Sequence, residues 1–166
     1  MAKKQSKANK RNHLTLVLLA AVIVVLAVGV SILNRPRAEK LVPGTVLTLP
    51  LSGITEEASF YSVTVDGTQM EVLAIRTASG EVRTAFNTCQ SCYTSGHGYY
   101  KANGTGLICQ NCGFHFDAEE VGVETGGGCN PWPITAENRS ETADSIEISY
   151  ETLAGARQIF SNWSKG

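Results

Sequence analysis

The chain has 166 residues, 43% of them hydrophobic, and a formal net charge of -1. That length suits one compact domain plus a membrane segment and excludes two ordinary domains. The near-neutral total conceals an asymmetry: Lys3, Lys4, Lys7, Lys10 and Arg11 crowd the first thirteen residues, while from Ala38 onward 15 acidic side chains outnumber 7 basic ones, a balance of -8 that excludes nucleic-acid binding through phosphate neutralisation.

In chain order, the basic tail, residues 1–13, precedes twenty uncharged residues, 14–33, whose length at 1.5 Å per helical residue matches a hydrocarbon core of roughly 30 Å. We read a single N-terminal transmembrane helix, with the basic tail in the cytoplasm and the rest of the chain outside. A cleaved signal peptide is the alternative, disfavoured by the length of the apolar run and by the lack of an Ala-x-Ala site before Asn34. Residues 34–43, with Pro36 and Pro43, read as a linker, and residues 44–166 as the exported domain.

Within that domain the patterns predict short strands. Residues 46–51 alternate weakly. Residues 60–65 and 69–75 flank Asp66-Gly67, a dipeptide suited to the positive φ angles of a type I′ hairpin turn. Val82, Thr84 and Phe86 alternate with Glu81, Arg83 and Asn87, which predicts a half-buried strand running directly into Cys89. Residues 99–101 and 107–109 bracket Asn103-Gly104, a second hairpin signal. Residues 145–150 alternate as a late strand, and residues 151–163 predict a short helix with Leu153, Ala156, Phe160 and Trp163 on one side, opposed by Gly155. The fold class is therefore mainly β, a domain of Rieske-like or zinc-ribbon-like character with metal-binding loops at one end.

Five cysteines carry the chemistry. Cys89-Gln-Ser-Cys92 and Cys109-Gln-Asn-Cys112 are separated by sixteen residues, and Cys129 follows after sixteen more. Two residues between cysteines let one turn aim both sulfurs at a single ion, and two such turns complete a tetrahedron. Thiolates suit an iron–sulfur cluster, and equally Zn²⁺ or another single metal ion. A disulfide framework is the ordinary alternative outside the cytoplasm, and one pair acting as a redox dithiol is another. Cys129 is open to three roles: ligand, disulfide partner or free thiol. His97 and His115 fall in the same region as candidate ligands or donors to a sulfur, although His97 between two glycines and His115 between two phenylalanines also fit exposed loop histidines. Trp132, in the rigid Asn130-Pro-Trp-Pro133 stretch, would either shield the centre or pack in the core. Glu119, Glu120 and Glu124 read as a solvated face. No catalytic triad, phosphate loop or carboxylate pair is present to support an enzyme.

The run from Asn87 to Tyr93, then Gly98-Tyr-Tyr, Leu107-Ile-Cys-Gln-Asn-Cys-Gly113, Phe116 and Gly127-Gly-Cys-Asn-Pro-Trp-Pro-Ile134 resembles the membrane iron–sulfur proteins of the FtrD-like family. The resemblance implies an exported β-rich domain holding an iron–sulfur or other redox metal centre on Cys89, Cys92, Cys109, Cys112 and Cys129. It also implies electron transfer or support of ferrous-iron uptake, with a redox partner or metal-uptake proteins alongside. Several relatives have many membrane spans; the single apolar segment here argues against carrying over a transport or channel role. Cys109 to Asp117 followed by Asn130-Pro-Trp-Pro133 is also similar, more faintly, to the second cluster box of Rieske proteins, where a His would stand in place of Cys112. The first box departs from that pattern at Cys92.

Overall fold

The computed structural model describes residues 38–123 and 128–165. The basic tail, the apolar segment 14–33, residues 34–37 of the linker and Glu124 lie outside the described residues; among those described, no helix is long and apolar enough to cross a membrane.

The described strands are β1 (Glu39–Leu41), β2 (Val46–Pro50), β3 (Ser59–Val65), β4 (Thr68–Arg76), β5 (Val82–Cys89), β6 (Tyr100–Asn103), β7 (Gly106–Cys109), β8 (His115–Asp117), β9 (Pro131–Pro133), β10 (Ser140–Glu141) and β11 (Ser145–Ser149), with one short helix, α1 (Tyr150–Gly155). They form a five-stranded sheet in the order β1-β3-β4-β5-β9 and two three-stranded sheets, β10-β11-β2 and β6-β7-β8. The protein is mainly β. Glu39–Leu41, inside the stretch read as a linker, pairs in parallel with β3 and buries Leu41.

The β3–β4 hairpin turns at Asp66 (φ 47°) and Gly67 (φ 81°), two consecutive positive angles as a type I′ turn requires. The second hairpin differs by one residue from the sequence reading. Asn103 pairs with Gly106, so the loop is Gly104-Thr105, with the positive φ confined to Gly104 in first position, the pattern of a type II′ turn.

Side-chain alternation along β4 and β5 feeds two separate cores. Met70, Val72, Ala74, Val82 and Phe86 face β2, β11 and α1, where they pack with Leu47, Leu49, Ile146, Ile148, Leu153 and Phe160. Leu73, Ile75, Ala85 and Cys89 face the β6-β7-β8 sheet and pack with Tyr100, Leu107, Cys109 and Phe116. The half-buried reading of β5 is thereby corrected: Asn87, assigned to the polar side, is 0% exposed, because a layer covers each face of this strand and β4 and β9 flank it. The late helix is shorter than the predicted residues 151–163. Ser149 caps it by accepting the Thr152 amide, and it stops at Gly155 before a 3-10 turn, Arg157–Phe160, that still delivers Phe160 edge-on to Phe86.

Candidate metal centre

Cys89 is the last residue of β5, and the turn that follows carries Cys92 into a 3-10 segment, Tyr93–Ser95, ending at Gly96 in the left-handed conformation (φ 79°). The chain then doubles back so closely that a Cβ on Gly98 would stand 2.7 Å from the carbonyl of Cys92. Only glycine fits there without displacing the cysteine. Cys109 closes β7 and Cys112 sits in the tight turn before β8, where the Gly113 amide donates to the Cys109 carbonyl at 2.9 Å.

Hydrogen bonds between segments hold the loops together. The Cys89 amide donates to Gly98 O at 2.6 Å and the Gln110 amide to Tyr99 O at 2.8 Å, tying each cysteine loop to the return strand between them. The Gln90 amide donates to Asn130 O at 2.9 Å and the Ser91 hydroxyl to Gly128 O at 2.7 Å, which draws in the segment bearing Cys129. Three stretches distant in sequence thus present sulfur to one place.

The sulfurs fall into two overlapping groups, Cys89/Cys92/Cys109 and Cys92/Cys112/Cys129, in each of which every Sγ lies within 4.8 Å of the others. Cys92 belongs to both. The first group is buried; Cys112 is exposed and Cys129 partly so, their sulfurs 3.4 Å apart. All five are free thiols. A tetrahedron of sulfur at about 2.3 Å from one metal has edges near ~3.8 Å, so each group is compact enough to serve as ligands. The donor set is all soft sulfur, with no carboxylate in either group, and it fits iron–sulfur chemistry or zinc.

Without a cation, crowding holds most of these thiols protonated. Burial pushes Cys109 up to about 12, and the Cys112 contact followed by burial pushes Cys129 up to about 12. Burial likewise raises Cys92. Cys112 goes the other way: burial raises it, but the Phe114 amide and the neighbouring thiols of Cys129, Cys109 and Cys92 outweigh that and leave it lowered. Tyr100 is wholly buried, and its hydroxyl donates to the Cys129 carbonyl at 2.6 Å. Burial first, and then the adjacent Cys89 thiol, raise its pKa, so it stays a neutral donor beside the sulfurs.

His97 and His115 are both exposed and belong to neither sulfur group. His115 Nδ1 instead meets Asn103 Nδ2 at 2.8 Å across the β6–β8 sheet. Trp132, on β9, pairs with Phe86 of β5, packs on the first core and meets Tyr93 edge-on at 6.2 Å. Glu120 completes a capping box with Asp117, and Glu119 accepts the Ala78 amide.

Tyr100, Asn87 and Glu71 escape sequence reasoning. Asn87 Nδ2 donates to Glu71 Oε2 at 2.6 Å and to Tyr100 O at 3.2 Å, and its Oδ1 accepts the Tyr100 amide at 2.7 Å. The one available signal was its place two residues before Cys89, on the same side of an alternating strand.

Searches of curated proteins and of solved structures each found no match to the chain. The sequence profile described as "Membrane iron-sulfur containing protein FtrD-like" matches residues 54–160, a span that takes in all five cysteines. With its sulfurs gathered at one place and most of its length matched, the chain belongs to the FtrD-like family of membrane iron–sulfur containing proteins.

Proposed function

We propose that the domain is an extracytoplasmic electron carrier, anchored by residues 14–33, that holds an iron–sulfur cluster on thiolates drawn from Cys89, Cys92, Cys109, Cys112 and Cys129 and gives redox support to metal handling. The observation that carries this reading is the convergence of the five sulfurs in two groups sharing Cys92, within a chain of an iron–sulfur family. The similarity of residues 109–133 to a Rieske box supports the same arrangement of metal loops at one end of a β domain. A cluster supplies reversible one-electron chemistry when bound. The chain's own contribution is to bury Cys89 and Cys109 away from water, to donate the Tyr100 hydroxyl beside them, and to leave Cys112 at the surface, where an electron partner is within reach.

A structural Zn²⁺ site is the second reading, favoured by the mutual distances within 4.8 Å, which suit a single ion. Anaerobically purified full-length protein separates the two. Iron and acid-labile sulfide, a visible charge-transfer spectrum and a reversible redox titration are expected; a colourless protein containing zinc ends the electron-transfer proposal.

A further inference from the structure

Glu71 lies on β4 with Leu73 and Ile75, the side chains that face the cysteines, and its carboxylate is only 4% exposed. A lone carboxylate there is expensive, and the protein surrounds it with donors. Ser62 Oγ donates at 3.1 Å, Asn87 Nδ2 at 2.6 Å, and Lys165 Nζ spans both oxygens at 2.9 and 2.7 Å. The segment bearing Lys165 is fastened beside the first cysteine loop: Asn162 Nδ2 donates to Thr94 O, Trp163 Nε1 to Asn87 O and the Ser164 amide to Gly96 O. Lys165 Nζ also stands 4.7 Å over the Phe60 ring, which packs on the core containing Cys89, Cys92 and Cys109.

We infer that Glu71 and Lys165 are a matched charge pair that sets the electrostatic environment of the cysteine centre, with Asn87 joining the Glu71 carboxylate to the backbone of Tyr100, whose hydroxyl donates to the Cys129 carbonyl. This rests on the redox reading above. Reduction adds negative charge to the centre, so a nearby cation favours the reduced form and a nearby anion the oxidised one. With both partners present their fields largely cancel. Removing either one exposes the other, and the two removals have opposite signs.

The test uses full-length protein purified without oxygen, with midpoint potential, iron content and visible spectrum measured for E71Q, K165M, E71Q/K165M and K165R. Lys165→Met is expected to lower the potential and Glu71→Gln to raise it. The double variant returns close to the parent, and Lys165→Arg matches the parent. A purely structural pair would instead lose iron and stability in both single variants, with no opposed shift. Equal potentials, or shifts of the same sign, overturn the inference. If K165M does not fold, E71Q and the double variant decide alone: an upward shift in E71Q that the double variant cancels supports the pair, and any other pattern refutes it. A parent protein with no reducible centre fails the redox reading itself, and the inference falls with it.

Discussion

The two faces of the central sheet are made by alternate residues of the same two strands, yet they bury different things. On one face Met70, Val72 and Ala74 pack into an apolar cluster with residues of β2, β11 and α1. On the other, Leu73 and Ile75 share their layer with three cysteines, while Glu71 and Asn87 beside them are as deeply buried. The first face stabilises by area removed from water, at about 25 cal/mol per Å². The second combines that with polar groups that tolerate burial only because each is bonded. One strand pair therefore supplies both a scaffold and a site, and the two should respond separately to substitution.

The sharpest way to break the comparison is Cys92→Ser. Because Cys92 belongs to both sulfur groups, metal content should fall close to zero while the domain keeps its β circular dichroism. On the opposite face, Leu153→Ala, at a position 0% exposed, should cost roughly 2–5 kcal/mol in denaturant melts yet leave the metal-to-protein ratio of the folded fraction unchanged. Gly98→Ala joins the two effects. The added methyl would press on the Cys92 carbonyl from 2.7 Å, so a loss of about 1–3 kcal/mol with weakened metal retention is expected in chelator competition.

Acidity sharpens the contrast further. Metal must displace protons from Cys109 and Cys129, each held up to about 12, so affinity measured by competition should climb steadily from pH 6 to pH 8 and protons should be released on binding. The linkage to metal-free stability has the opposite sign. Unfolded cysteine titrates near about 8.5, so the stability these neutral thiols contribute is full below that pH and is lost as pH rises through the folded value near 12. The smallest effect belongs to His97→Ala. This side chain is exposed, so stability should stay within about 0.5 kcal/mol of the parent and metal content should not change.

Sequence reasoning reached the hairpin at Asp66-Gly67, the strand leading into Cys89 and the meeting of the two Cys-x-x-Cys turns, because each is written in local chemistry: a turn dipeptide, a period of two, a fixed spacing. What escaped it depends on neighbours. Asn87 reads as outward-facing until the β6-β7-β8 sheet is laid over that side, and Glu71 draws no notice in its strand until Lys165, 94 positions away, is seen against it. The union of Cys92, Cys112 and Cys129 was implied by the family resemblance but not by spacing, since it follows from contacts across loops, Gln90 to Asn130 and Ser91 to Gly128. Even β1 was hidden, since three residues carry too short a pattern to distinguish from a tether.

Cys112 is the exposed sulfur of the set, and contact with the Phe114 amide and the neighbouring thiols lowers its pKa against the cost of burial. The exposure that brings Cys112 to solvent also admits peroxide, and an accessible thiolate is where oxidation to sulfenic acid begins. Wear on this protein should therefore start at its outermost sulfur, with the buried cysteines spared until that edge has been damaged.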